Sequence, residues 1–464
     1  MTLFRRTLLN CAGAGAALSV CIGLTACGTL YRTPTPEQPP LPSRFPHATQ
    51  VTDPAPLDGW WHAFNDPELD ALVDAVLQRN DTLAAAALHL KAAQLQVHLA
   101  VTNPTVSASV DYANSKPLSG HTPSIQSDAL AASVSYDLDL WGTLAATRDA
   151  ATWEAHAAAQ DRDSVGIILV ANTVDDYFQI ASLNQLLTLS DQDVAAAEQQ
   201  LALTQVLKGA GGATALDVAT AQQNLDAQVA NHASLVEQRV EARHALSVLL
   251  DDEDWPAARE RAAIPQGPLP AVDAGIPASV LGHRPDLRAA ELRLRESLAT
   301  VEATRRSFYP DLSLTGSVGT NSVSLGNLLA NPLGTLGATL TFPFLQVDHA
   351  IFATQVARVN YDAAAATFRQ TLRQALTDVD NALSARAQYQ IQIDALDHSL
   401  QEAITVEHLT EVLYHAGSVP LQTWLTDQAT RRAAAEALVN TRLLAIQNYA
   451  TLCLALGGGP RRTG

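Results

Sequence analysis

The two halves of this 464-residue chain match at a constant spacing of 206 residues, and that register limits the possible folds more than any other feature. Pro104 falls on Pro310, Gly211 on Gly417 and Gln222 on Gln428, and "PTVSASV" and "PDLSLTGSV" follow the two prolines in the same in-out pattern. Leu130, Ala132, Val134, Tyr136 and Leu138 fall on Leu336, Ala338, Leu340, Phe342 and Phe344. Each copy therefore holds two strands of period two between helical runs much longer than those of an ordinary globular domain. One supersecondary unit used twice, with helices of that length, specifies a tube.

The helical runs are legible from their ends. Asp66-Pro67-Glu68 opens a helix, with a capping carboxylate, a proline in the first turn and an acid that favours the helix dipole. Asn80-Asp81 interrupts it, and a second helix runs to about Val101; His283-Arg284-Pro285-Asp286 opens the equivalent in the second copy. From Gly142 to about Leu207 there is no proline, and Ile180, Leu183, Leu187, Val194, Ala197 and Leu201 recur at coiled-coil steps. Such a run is on the order of 100 Å long. A matching run spans about His349 to Leu413, and each is followed by a short break and a returning helix, to about Leu250 and about Leu456. Alanine is dense on these helices, which permits close neighbours on both sides. A plain helical bundle accounts equally well for the heptads alone.

The strands decide between tube and bundle. In the first, Val106, Ala108, Val110 and Tyr112 alternate with Thr105, Ser107, Ser109 and Asp111; Ser133, Ser135 and Asp137, then Ser313, Thr315 and Ser317, oppose the apolar sets of later strands. A dyad period over about ten residues is what a tilted strand needs to cross a bilayer. Four strands cannot close on themselves, and open edges are not tolerated in hydrocarbon, so other copies must complete the ring. Three copies give about twelve strands around a wide aqueous lumen. The segments Asn114 to Ser127 and Asn321 to Gly334 join the strands of each pair and are expected to face the cell exterior. A soluble sandwich is the alternative, but four strands attached to such helices make a poor sandwich core.

The N-terminus reads as an export signal: Arg5-Arg6, an apolar stretch from Leu8 to Leu24, then Leu24-Thr25-Ala26-Cys27. That last run is lipobox-like and makes Cys27 the expected site of lipid attachment, followed by a proline-rich spacer from Pro34 to Pro46. Cys11 and Cys21 lie in the removed segment, so Cys453 is left as the one thiol and no intrachain disulfide is expected. A formal net charge of −18 with three lysines, Lys91, Lys116 and Lys208, argues against nucleic acid as a partner. The acids either form a solvated exterior or line an aqueous conduit that favours cations.

No constellation for bond chemistry stands out. Gly209-Ala210-Gly211-Gly212 lacks a Walker lysine, and Asp251-Asp252-Glu253-Asp254 lacks calcium-loop spacing. The histidines form no zinc motif, and no resident cofactor or metal is expected. Trp60 and Trp61 are expected to pack in a core rather than to form a ligand cage.

Six stretches resemble the TolC-like outer membrane efflux proteins, in the lipoprotein branch that includes OprM and NodT-type factors. They are "DGWWHAFNDPELDALV" (Asp58 to Val73), "SYDLDLWG" (Ser135 to Gly142), "GHRPDLRAAELRL" (Gly282 to Leu294), "FYPDLSLTGSVG" (Phe308 to Gly319), "LTFPF" (Leu340 to Phe344) and "LALGGG" (Leu454 to Gly459). The resemblance implies a mixed α+β membrane protein: a homotrimer whose four strands per chain build a 12-stranded β-barrel in the outer membrane, continuous with a 12-helix periplasmic α-barrel. It implies docking to a periplasmic membrane fusion adaptor and an inner-membrane pump, commonly of the resistance-nodulation-division class, with passive conduction to the cell exterior. The alternative function is a periplasmic coiled-coil scaffold lipoprotein without a pore.

The same resemblance makes Lys208, Gly211, Asp217 and Gly417 the candidate periplasmic tip and adaptor contacts. For Asp217 the residues themselves favour another role, because Thr214-Ala215-Leu216-Asp217 is a capping box. The second tip has Val419-Pro420 where relatives often carry a gate carboxylate, "LQVDH" replaces the usual turn after the fourth strand, and Pro460 stands where Trp is common. The chain is expected to divide into a signal peptide (1–26), a lipid-anchored linker (27–65), a first repeat (66–282) and a second repeat (283–464). Strands are expected at about 104–113, 128–138, 311–320 and 335–344.

Overall fold

A computed structural model describes residues 45–46, 57–116, 125–272, 282–323, 327–330 and 332–459. Cys27 and the export segment lie outside these residues. In chain order the principal elements are α1 (Pro67–Arg79), α2 (Asp81–Leu99), β1 (Thr105–Ser115), β2 (Ile125–Leu138), α3 (Thr143–Gly209) and α4 (Ala215–Leu249). The second half supplies α5 (Pro285–Arg306), β3 (Asp311–Ser322), β4 (Leu333–Thr341), α6 (Val347–His415) and α7 (Leu421–Ala455). α3 and α6 have 67 and 69 residues, roughly 100 Å each.

The four strands form one antiparallel sheet in the order β1-β2-β3-β4. Its register carries the duplication: Thr105 pairs with Ser135 and Val106 with Val134, and one repeat later Asp311 pairs with Thr341 and Leu312 with Leu340. β1 and β2 run further into their connection than the sequence pattern suggests, ending at Ser115 and beginning at Ile125. β4 instead stops at Thr341, short of Phe344. Pro343 has no N–H to give a ladder, and a 3-10 turn takes over at Pro343–Leu345.

The main core lies midway along the long helices. Asp66 caps α1 by accepting from the N–H groups of Glu68 and Leu69, and its second oxygen accepts from the Tyr177 hydroxyl at 2.9 Å and from Arg261 at 2.8 Å. That carboxylate fixes α1 on α3, and Leu69, Leu72, Val73 and Val76 are fully buried beside Val174, Phe178 and Ile180. Trp60 and Trp61 are buried in the same core, Trp60 edge-on to Tyr449 at 5.6 Å. In the second half, buried Arg284 bridges Asp286 (2.8 Å) and Asp378 (3.4 Å) and donates to the Ala455 carbonyl. The three glycines after α7 close this knot. A Cβ on Gly457 would sit 2.5 Å from the His283 carbonyl oxygen, and one on Gly459 would sit 2.6 Å from Ile167.

The two joins between sheet and long helices differ. Before α3, Gly142 adopts φ 73° and Asp139 caps the N–H groups of Leu144 and Ala145. One repeat later these positions are Asp348 and Leu345, and α6 starts without a side-chain cap. The altered "LQVDH" turn is the cause.

Candidate conduit surface and hairpin tips

The sheet has two chemically distinct faces, a direct consequence of the two-residue side-chain period. Val106, Val110, Val134, Tyr136, Leu314, Val318, Leu336 and Leu340 share one face and are exposed. Ser107 and Ser133 face each other on the other at 2.8 Å, and Ser135 meets Thr315 at 3.4 Å. Along β2 the apolar face runs from Leu138 to Leu130, about 26 Å of strand at ~3.3 Å per residue. A tilt of about 40° shortens that to about 20 Å along a membrane normal, near the ~25 Å band of outer-membrane barrels.

The apolar band has an edge at each end. At the helix end stand Leu140, Trp141, Phe342 and Phe344, all exposed. Trp141 donates its indole N–H to the Pro310 carbonyl at 2.7 Å and packs edge-on to Tyr309 at 5.3 Å. An amphipathic ring with its polar tip satisfied suits a membrane interface. At the other end the apolar parity turns polar at Asp128, which accepts from Gln126 at 3.1 Å. Among the described residues no helix is long and apolar enough to cross a membrane, and no acidic, histidine or cysteine cluster could hold a metal ion.

The hairpin tips repeat in backbone detail. Gly211 and Gly417 have φ 77° and 72°, and a Cβ on either would meet nothing within 4 Å, so the left-handed backbone rather than space selects glycine. Gly212 N–H reaches the Leu207 carbonyl at 2.8 Å, and one repeat later Ser418 N–H reaches that of Leu413 at 2.9 Å. Lys208 stands in the last turn of α3, where a cation favours the helix dipole. Asp217 closes the capping box: the Thr214 N–H donates to it at 2.8 Å, and its own N–H donates to the Thr214 hydroxyl at 3.1 Å. The Thr214 N–H, and after it the Thr214 hydroxyl at 2.7 Å, both donate to the Asp217 carboxylate and hold it below the usual range. Lys208, Gly211 and Asp217 thus share the first tip, and Gly417 lies in the second.

Three features at and above the tips have no local signal in the sequence. Trp424 stacks on Tyr414 at 5.1 Å and is buried with Leu421, Leu425 and Ala221, tying α7 to α4. Arg431 on α7 reaches Asp193 of α3 at 2.5 Å and Glu407 of α6 at 2.6 Å, a clamp across three helices. Asp175 and Asp176 are adjacent on α3; burial pushes their carboxyls up to about 7 and about 6, Asp176 also repelling charge on Asp175. One Asp175 oxygen is buried without a hydrogen-bond partner.

A sheet with one apolar and one polar face, bare at both edges and joined to two helices of roughly 100 Å that each fold back into a hairpin, is the build of one subunit of a membrane conduit. A profile of the outer membrane efflux protein family matches residues 72–251 and 276–458, and the chain belongs to that family. It is similar to the pyoverdine export outer membrane protein OpmQ of Pseudomonas aeruginosa, 29% identical over 460 residues that cover 95% of this chain and 96% of OpmQ. It is similar also to the toluene efflux pump outer membrane protein TtgC of Pseudomonas putida, at 28% over 455 residues, 94% of this chain and 93% of TtgC. The solved open state of the Neisseria gonorrhoeae MtrE outer membrane channel superposes with a TM-score of 0.77 at 27% identity, over 94% of this chain and 98% of that one. The protein is an outer membrane efflux channel component and not an enzyme.

Proposed function

We propose that three copies of the chain close a barrel of about twelve strands in the outer membrane, continuous with a periplasmic helical tunnel. The supporting observation is the sheet: β1 and β4 lie at its edges and are exposed along their whole length. Each unpaired backbone group there costs several kcal/mol in hydrocarbon, so a lone chain cannot stay inserted. A lipid on Cys27 anchors the assembly. The tips at Lys208, Gly211, Asp217 and Gly417 meet a periplasmic adaptor, and an inner-membrane pump of the resistance-nodulation-division class supplies energy. The chain conducts passively, and pump and adaptor choose the cargo; OpmQ is named for pyoverdine export and TtgC for toluene efflux, which supports a small organic molecule as the cargo of this chain.

Adaptor binding opens the tips by biasing a two-state packing of the hairpins. Purified protein in planar bilayers is expected to give a low, flickering current that rises when the contacts around Lys208 to Asp217 are loosened; no pore under any condition sinks the proposal. Cysteines at successive positions from Val106 to Tyr112 are expected to alternate between lipid and water accessibility. A poreless scaffold leaves both sets wet. Loss of metabolic palmitate labelling in Cys27→Ser tests the anchor separately.

A further inference from the structure

We propose that the groove between α6, α7 and the connection at 265–272 is a peptide-binding site, and that it takes the stem peptides of the cell wall. The proposal rests on the reading of the chain as an outer-membrane conduit with helices in the periplasm, and gives those helices a fixed point.

Three pieces of chain build the groove. α6 and α7 supply an apolar floor of Leu383, Ile393 and Ile446, and Pro268, Leu269 and Val272 of the connection line the opposite side. Arg386 on α6 ties the two together by donating to the Pro270 carbonyl at 2.7 Å. The space is about 720 Å³, within the roughly 300–1,000 Å³ of ligand pockets. Protein interiors are close-packed, so an opening of that size is not packing slack.

The charges suit a zwitterion. The Arg442 side chain is 15% exposed and bonds Asp397 at 3.1 Å through one nitrogen of its five-donor fork, and a carboxylate fits the remainder. Asp394 is exposed one helical turn from Asp397 on the same face, steadied by the Gln390 amide at 2.9 Å. It accepts from an ammonium. The groove thus offers an anion partner beside a cation partner, with apolar surface next to both. Stem peptides of the wall present the matching order: a diamino-acid centre with ammonium and carboxylate on one carbon, followed by an alanine methyl group.

Position favours the same partner. α6 is unbroken from Val347 to His415, so Arg386 to Asp397 lie roughly 60–75 Å along it from the sheet. The wall is the peptide-bearing polymer that a chain seated in the outer membrane meets below that membrane. In a ring of helices around an open lumen, a connection laid across α6 and α7 runs on the outside. The groove therefore opens to the periplasm.

The test uses the full chain in detergent with two probes, purified sacculi and the soluble tetrapeptide L-alanyl-γ-D-glutamyl-meso-diaminopimelyl-D-alanine. The expected result is co-sedimentation of the native protein with sacculi, reversed by the tetrapeptide and absent from sacculi whose peptides an amidase has removed. A tetrapeptide with lysine in place of diaminopimelate keeps the ammonium but lacks the carboxylate, and should bind about tenfold more weakly. Asp394→Asn, at an exposed position, should cost a similar factor for the first tetrapeptide while melting temperature and bilayer conductance stay the same. Equal binding of the two tetrapeptides, binding that survives Asp394→Asn, or retention on stripped sacculi overturns the proposal. So does a native protein that binds neither probe because a neighbouring copy fills the groove. Conductance is recorded on the same preparations: a conducting channel that ignores the wall overturns this site alone, and wall binding by a protein that never conducts overturns the conduit instead.

Discussion

Replacing Asp175 by Asn is expected to stabilise the protein at neutral and alkaline pH and to flatten its pH dependence. The carboxyl is pushed from 3.8 to about 7, first by burial and then by Asp176. Between these values the folded chain holds a proton that the unfolded chain has released. Stability therefore falls as pH rises through roughly 4 to 7 and is lowest above that window. At 1.36 kcal/mol per unit the full shift corresponds to about 4 kcal/mol. Asp175 and Asp176 titrate as a pair, so this is the ceiling for one substitution. With an unfolding entropy near 2.1 cal/mol/K per residue, a chain of this size moves about 4 °C for 4 kcal/mol. The assay is thermal unfolding by circular dichroism in detergent, at one scan rate, from pH 5 to pH 8. Asp175→Asn should lie no more than about 2 °C above the parent at pH 5 and about 4 °C above it at pH 8. Parallel curves across the whole range would refute the idea that an unneutralised buried charge resides at this position.

Other perturbations give separable outcomes. Arg431→Ala removes the guanidinium that bonds both Asp193 and Glu407 and leaves only the Arg432 charge near them; a loss of up to about 3 kcal/mol is expected, with raised bilayer conductance, and Arg431→Lys should recover part of both. Gly211→Ala and Gly417→Ala force an L side chain into left-handed backbone at about 1 kcal/mol each, seen as faster amide exchange at the tips with an unchanged melting temperature. Phe352→Asp combined with Val356→Asp is expected to abolish the native trimer while far-UV circular dichroism of the isolated chain stays the same, since both positions are exposed in the single chain. Gly457→Ala should reduce folded yield, because its Cβ would fall on the His283 carbonyl and its φ is 80°.

The sequence by itself determined whatever is encoded by local periodicity and local capping. The strands followed from alternation, the 67- and 69-residue helices from heptads without proline, the tips from glycines at matching positions, and the Asp217 capping box from residues three apart. Each of these is an interaction between chain neighbours, and the 206-residue repeat then multiplied every local signal by two. Tertiary structure alone decided the partners that lie far along the chain. Arg431 is separated from Asp193 by 238 positions, Asp66 from Arg261 by 195, and nothing near any of them announces the other. The bare edges of β1 and β4 and the uncovered faces of α2 and α6 also needed the fold, because period shows which face is apolar but not whether this chain covers it. Burial of Asp175 belongs to the same class: a carboxylate on a helix looks solvated until the packing around it removes the water.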